Sequence, residues 1–214
     1  MDGSAELKTC ALVGASEFNA DVFEAMNSSG AFDFVISVDG GYSHLSEIGV
    51  IPHLAIGDFD SLGYVPEDVQ AIKHPAHKDA SDMELAIDYA ADKGFGSFVV
   101  FGALGGRLDH TLANLQVFAK VSESGNAVRA VGLTEELFML TGPASMDFDQ
   151  RESGTLSVFA MDDNVKGLIE KGLEWELDRV GLEPRTSLGL SNEFIGKESE
   201  VSIEKGTIAV IVSL

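Results

Sequence analysis

The chain is short of three things, and each shortage excludes something. Of its 214 residues only Cys10 is a cysteine, so no intrachain disulfide forms and a reducing compartment is expected. Cys10 sits in the apolar run Thr9-Cys10-Ala11-Leu12-Val13-Gly14, where a buried structural thiol is expected rather than a nucleophile. Basic residues are also scarce: 14 Lys and Arg stand against 35 Asp and Glu, a formal net charge of −21. That balance excludes the basic footprint of a nucleic-acid binder. It repels phosphates at long range unless local cations reverse the field, and it attracts a cationic small molecule. Long apolar runs are missing too, so no membrane span is expected. Met1 to Glu6 lacks the basic start of a signal peptide. A cytoplasmic protein follows, with neither nucleic acid nor membrane as partner.

What is present is ordinary globular material, 45% apolar, with neither internal repeat nor low-complexity tract. Up to about residue 145, strand-like runs at 11–14, 33–38, 53–56, 97–102 and 127–132 alternate with helical segments. The helices are expected from Ala20 to Asn27, Tyr42 to Ile48, Ser81 to Lys93 and Asp109 to Val121. Alternation of this kind is the signature of a parallel α/β sheet. Ser81-x-x-Glu84 forms a capping box, and Met83, Ala86, Ile87 and Ala90 make one apolar face. In the last helix Leu108, Leu112, Leu115 and Ala119 are expected to be buried, with Asp109 as N-cap. After Thr141-Gly142-Pro143 the pattern changes to short strands between glycine turns, at Thr155 to Ala160, Val165 to Glu170, Glu200 to Glu204 and Thr207 to Val212. A small all-β sandwich is expected there. The domains are therefore set at 1–143 and 144–214.

The chemistry-bearing residues follow the strands. Gly57-Asp58-Phe59-Asp60-Ser61 puts two carboxylates one residue apart. In extended backbone, alternate side chains share a face, so Asp58 and Asp60 are expected to address one ion. Two such carboxylates repel unless a cation lies between them, and Mg²⁺ carrying a nucleotide suits oxygen ligands. The competing reading is a loop in which Asp58 caps a turn and Asp60 faces water. Asp39-Gly40-Gly41 ends another apolar run, Lys78-Asp79-Ala80-Ser81-Asp82 opens a helix, and Gly105-Gly106-Arg107-Leu108-Asp109 links strand to helix. Glycines at such a junction let backbone approach phosphate, and Arg107 would add a bidentate contact. No Gly-Lys-Ser/Thr follows, so this is not a Walker A loop. His44, His53, His74, His77 and His110 show no metal-ligand spacing. In open α/β sheets the carboxyl ends of parallel strands are where ligands bind, so these clusters are expected to converge.

Taken in order, Asp39-Gly40-Gly41, Pro52, Gly57-Asp58-Phe59-Asp60-Ser61, Lys78-Asp79-x-Ser81-Asp82 and Gly105-Gly106-Arg107-x-Asp109-His110-x-x-x-Asn114 resemble the thiamine pyrophosphokinase family. Gly172-Leu173-Glu174-Trp175-Glu176-Leu177 and Gly189-Leu190-Ser191-Asn192-Glu193-Phe194 look like its thiamine-side motifs. The resemblance implies a Rossmann-like catalytic domain, a C-terminal β-sandwich, and a homodimer with active sites between subunits. It implies transfer of the pyrophosphoryl group of ATP to the hydroxyethyl oxygen of thiamine, with Asp58, Asp60, Asp82 and Arg107 as the catalytic set. Asp58 and Asp60 would hold Mg²⁺, with Asp82 or Asp39 completing the shell. Asp39, Gly40, Lys78, Asp79, Gly105, Gly106, Arg107 and Asp109 would meet ATP; Asp82, Trp175, Ser191 and Asn192 would meet thiamine. Two departures stand out: Ser81 where the family has Thr, and Tyr42 where it has a small residue. The alternatives are a pyrophosphokinase acting on a hydroxymethyl-pterin, or a non-catalytic nucleotide-binding regulator of the same fold. A lone tryptophan in a β-domain is more often core, so Trp175 is open between stacking and packing.

Overall fold

A computed structural model describes residues 7–75 and 79–214. The protein is mixed α/β, with a large sheet and a second, four-stranded antiparallel sheet. It divides into two compact units. The first holds the chain up to Asn114 with Ala130–Leu133, and the second holds Leu115–Arg129 with Thr134–Leu214.

The first unit contains β1 (Thr9–Val13), α1 (Ala20–Ser28), β2 (Phe34–Val38), α2 (Gly41–Glu47), β3 (Leu54–Gly57), β4 (Ala71–Lys73), α3 (Asp82–Asp92) and β5 (Ser97–Phe101). The helix α4 (Leu108–Glu123) and the strand β6 (Ala127–Val131) contribute residues to each unit. Strands run parallel in the order β5-β1-β2-β3-β4. β1 is buried at Cys10 through Val13, as a parallel strand covered on both faces requires of an unbroken apolar run. The Cys10 thiol is fully buried, and burial pushes it up to about 12, so it is a packing residue. Phe23 and Phe101 meet edge to face at 5.3 Å within a cluster that includes Val13 and Val35. Each such side chain contributes roughly 1.5–3 kcal/mol by burial.

The cap expected at Ser81 is present. Ser81 is the N-cap of α3, its Oγ accepting from the Glu84 N–H at 3.2 Å, and Met83, Ala86, Ile87 and Ala90 are its buried face. A cap of this kind contributes about 1 kcal/mol. Helix α4 departs from expectation. Leu108 and Leu112 are 71% and 54% exposed, while Asn114, Phe118 and Ala119 are buried. Asn114 is buried instead, its amide donating to the Ala103 carbonyl at 2.8 Å, so the first turn of the expected stripe faces outward while Leu115 is half-buried and Ala119 is buried as expected. Asp109 is the second helical residue of α4 and not its N-cap.

The second unit contains β7 (Glu135–Thr141), β8 (Ala144–Arg151), β9 (Thr155–Ala160), β10 (Val165–Lys171), β11 (Leu177–Leu182), β12 (Asn192–Glu193), β13 (Lys197–Ile203) and β14 (Thr207–Ser213). Antiparallel pairing gives β12-β9-β14-β7 and, in the four-stranded sheet, β11-β10-β13-β8. Leu156, Val158, Leu168, Val201, Ile208 and Val210 share one buried apolar cluster. The strands β4, β7, β8, β11 and the two-residue β12 lie where no strand was expected. β4 is only three residues long, and β8 carries Asp147 and Asp149.

Candidate active site

The order β5-β1-β2 means that the chain runs outward from β1 through β2, β3 and β4, then returns to β1's other side as β5. Connections leaving β1 and β5 therefore diverge and open a crevice at the strands' carboxyl ends. A cavity of about 320 Å³ lies there. Gly14, Ala15 and Ser16 after β1, Val38 and Asp39 after β2, and Asp58 after β3 line it. Ala80 to Met83 at the head of α3, Gly102 and Ala103 after β5, and His110 and Asn114 of α4 complete the wall. The two closest loops are laced by backbone hydrogen bonds, Gly14 N–H to Phe101 O at 2.8 Å and Ser16 N–H to Gly102 O at 2.9 Å. Gly102 has φ +62°, and a Cβ on it would stand 2.1 Å from the Gly14 carbonyl oxygen, so only glycine lets these loops approach.

Three of the expected acids line this cavity: Asp39, Asp58 and Asp82. Asp39 adopts φ 48°, its Oδ2 accepts from the Ser61 hydroxyl at 2.6 Å, and its buried Oδ1 has no hydrogen-bond partner among the described residues. Gly57 is glycine because a Cβ there would meet the Asp39 Cα at 2.9 Å. The stretch after it is not extended: Phe59 is buried at φ 62°, and the Asp60 N–H donates to Asp58 Oδ1 at 3.0 Å. Asp58 thus caps a turn, as the competing reading had it, and Asp60 is exposed on that turn. The expectation that the two share a face through strand alternation is corrected by that left-handed residue.

Among the described residues, no three His, Cys, Asp or Glu side chains gather closely enough to hold a metal by themselves. Mg²⁺ is commonly held by one or two carboxylates, with waters and substrate phosphates filling the remaining positions. Asp39, with its orphaned buried oxygen, and Asp58 and Asp82 beside it fit that demand. Asp79 is exposed on the bend before α3, and Gly40 is half-buried as the N-cap of α2. Lys78 and His77 lie outside the described residues.

In the loop between β5 and α4, Gly105 is half-buried and Gly106 exposed. Arg107 is exposed and forked onto Asp109, Nε to Oδ1 at 3.1 Å and Nη2 to Oδ2 at 2.6 Å. The carboxylate raises the guanidinium, and the guanidinium holds Asp109 below the usual carboxylate range. An exposed pair of this kind is weak, so an incoming phosphate can capture Arg107 from Asp109. Tyr42 is buried, and its hydroxyl donates to Asp68 at 2.6 Å, which raises the phenol to about 12 and keeps it away from phosphate chemistry. Sequence reasoning missed Ser16, whose buried Oγ has no partner among the described residues, and left His110 without a role. Both stand in the wall of the cavity. The signal for Ser16 was its place two residues past an apolar run.

The second unit holds a groove of about 300 Å³ lined by Glu170, Trp175, Leu177, Ser187, Leu188, Gly189, Leu190 and Asn192. Trp175 is 57% exposed there, so it is not core. Asn192 is buried and fully engaged: its amide nitrogen donates to Glu170 Oε2 at 2.5 Å and to the Trp175 carbonyl at 2.7 Å. Its Oδ1 accepts from the Trp175 N–H at 3.1 Å and the Glu193 N–H at 2.9 Å. Asn192 therefore fixes the loop that presents Trp175. Ser191 is exposed at φ 57°, its N–H donating to Ser157 Oγ at 2.9 Å. Glu170 was not expected at all. Only the end of β10 alternates: Leu168 and Glu170 are buried, Ile169 between them is half-buried, and Lys171 is exposed.

Residues 27–130 match the thiamin pyrophosphokinase catalytic domain, and residues 145–208 match the thiamin pyrophosphokinase vitamin B1 binding domain. Thiamine pyrophosphokinase of Bacillus subtilis is 29% identical over 185 residues, which is 83% of this chain and 86% of that protein. The crystal structure of thiamine pyrophosphokinase from Bacillus subtilis is similar at a TM-score of 0.80 and 27% identity, over 96% of this chain and 99% of that one. That of thiamin pyrophosphokinase from Geobacillus thermodenitrificans follows at 0.79 and 25%, over 96% and 97%. Thiamin pyrophosphokinase from Candida albicans, at 15% identity and a TM-score of 0.75 over 97% and 89%, shares the fold.

Proposed function

The chain belongs to the thiamin pyrophosphokinase family, and from that premise we propose that it transfers the pyrophosphoryl group of ATP to the hydroxyethyl oxygen of thiamine, giving thiamine diphosphate and AMP. The observation that carries the reading is the tandem match, catalytic then vitamin B1 binding, on a chain whose parallel strands end in Asp39, Asp58 and the Asp82 helix. The second match favours thiamine over a hydroxymethyl-pterin acceptor, and the acid-lined cavity favours turnover over a silent regulator. Residues 1–143 are read as a Rossmann-like catalytic domain and residues 144–214 as a β-sandwich, a boundary that falls between the two matched regions. The protein is read as a cytoplasmic homodimer whose active sites draw on both subunits.

The chemistry asks for charge neutralisation around the polyphosphate and an in-line alcohol. Asp58 and Asp82, with Asp39 adjoining, would hold Mg²⁺ together with water and phosphate oxygens, and Asp60 stands exposed on the neighbouring turn; the ion, when bound, would supply Lewis-acid neutralisation of the phosphate oxygens. The glycine loops and Ser16 Oγ line the phosphate path, and Gly40, Asp79, Gly105 and Gly106 flank it. Arg107, released from Asp109, would orient the transferred group. Lys78 would add a second cation. The cation that thiamine carries is drawn by the protein's net charge of −21, and Trp175 offers an aromatic face to the substrate. The deciding experiment incubates the protein with thiamine, ATP and Mg²⁺. Thiamine diphosphate and AMP in equal amounts are expected. Thiamine monophosphate with ADP, or AMP without a thiamine product, overturns the reading.

A further inference from the structure

The groove of the second unit contains a feature that packing alone does not require. Glu170 is completely buried, yet only one of its carboxyl oxygens is used. Oε2 accepts from the Asn192 amide, while Oε1 is buried with no hydrogen-bond partner among the described residues. A buried polar atom left unpaired destabilises a fold, and native structures keep few of them. The unpaired oxygen lies beneath Gly189, where a Cβ would stand 3.5 Å from it. Around it the groove is apolar and aromatic: Trp175, Leu188 and Leu190 are 57%, 44% and 52% exposed. Three large, partly exposed apolar side chains that line one groove with a single unsatisfied carboxyl oxygen suit a flat, partly apolar ring with nitrogen on its edge.

We propose that Glu170 is a specificity residue of the thiamine site, its Oε1 making one hydrogen bond to the nitrogen edge of the aminopyrimidine ring held beside Trp175. This rests on the thiamine reading above and adds to it the group that recognises the pyrimidine half of the substrate. Asn192 is then a positioning residue, because it holds both Glu170 Oε2 and the Trp175 backbone. A ligand lacking the pyrimidine leaves Oε1 unpaired and gains nothing from Glu170.

The test needs no turnover. Trp175 is the chain's one tryptophan, so its fluorescence reports occupancy of the groove. Full-length wild type, Glu170→Leu and Glu170→Gln are titrated with thiamine and, separately, with 4-methyl-5-(2-hydroxyethyl)thiazole, which lacks the pyrimidine. Thermal melting verifies that each variant is folded. Glu170→Leu is expected to weaken thiamine about tenfold or more, equivalent to about 1.4 kcal/mol, and Glu170→Gln by a smaller factor. Affinity for the thiazole alcohol should be the same in all three proteins. Thiamine affinity unchanged in the folded variants overturns the role of Glu170 and leaves the enzyme reading standing. Equal losses for thiamine and the thiazole alcohol also overturn it, because Glu170 would then only shape the groove. If wild type itself binds no thiamine, the functional reading fails and this inference fails with it. Should Glu170→Leu not fold, Glu170→Gln decides on the same comparison.

Discussion

The cavity of the first unit and the groove of the second solve different recognition problems. The cavity is built from loops: acids, glycines and a serine at the ends of parallel strands, with polar groups lining a space of about 320 Å³. The groove combines strands and loops: Glu170, Leu177 and Asn192 stand on strands, and the exposed Trp175, Leu188 and Leu190 come from the loops between them. A polyphosphate is recognised by charge and by close backbone approach, which loops supply. A ring is recognised by shape and a single placed polar atom, and here the strand β10 holds that atom. The difference teaches where damage should be felt. Changes in the cavity should alter chemistry with little effect on stability, and changes in the groove should alter substrate choice and stability together.

The largest expected effect tests the cavity. Asp58→Asn should lower turnover by about a thousandfold or more, since a group that neutralises transition-state charge is lost. Its melting temperature should stay level or rise, because Asp58 shares its cavity with two other acids. Activity within tenfold of wild type would remove Asp58 from the metal shell. The reverse pattern is expected under the groove. Leu168 is completely buried in β10 two residues before Glu170, and Leu168→Ala should cost about 2–5 kcal/mol in denaturant unfolding. A smaller loss would mean that the second unit tolerates rearrangement and cannot fix Glu170.

Mixing chains sharpens the comparison. Asp58→Asn and Trp175→Ala are each expected to be inactive or nearly so. If a dimer shares its sites, subunit exchange should restore roughly a quarter of wild-type activity, since half of a random mixture is heterodimer with one intact site of two. No recovery despite verified exchange would put cavity and groove to work within one chain. A lesser effect is expected at Arg107. Arg107→Ala should raise the KM for ATP about tenfold and leave that for thiamine nearly unchanged. Asp109→Ala, which frees the guanidinium, should not reproduce that loss.

The smallest effect is a pH dependence. Burial raises the Glu170 carboxyl above the ordinary glutamate range, and the Asn192 amide opposes the shift only in part. The native state therefore holds the proton more tightly than the unfolded state does. Stability contributed at this residue is highest below the ordinary glutamate range and falls as pH rises through it towards the raised folded value. The difference in melting temperature between wild type and Glu170→Gln should grow against wild type over that interval. A flat difference would mean that Glu170 is not desolvated in solution.

How much of this could be read from residues alone follows the same division. β1, β2, β3 and β5 fall within two residues of expectation, because parallel strands buried on both faces are unbroken apolar runs. β7 and β8 were not visible because their acids and half-buried positions break that pattern. Asp39, Asp58 and Asp82 were legible because they follow such runs or open a capped helix. The first turn of α4 was not, since Leu108 and Leu112 looked like core and the buried hydrogen bond from Asn114 leaves no mark in the apolar pattern. Glu170 was hard to see for a related reason: a glutamate between Ile169 and Lys171 looks like surface, and its neighbours Asn192 and Gly189 are distant in sequence.

The sealed thiol of Cys10 has a practical consequence. A protein whose single cysteine is inaccessible and held near pKa 12 is silent to maleimides and methanethiosulfonates while folded. Any cysteine placed on the surface then becomes the sole site of attachment, with no background to remove. One probe beside the cavity and a second beside the groove would allow spin-label distance measurements, within a chain and between chains. How substrate changes the spacing of the two recognition surfaces would then be a direct observable, obtained without altering a residue of either one.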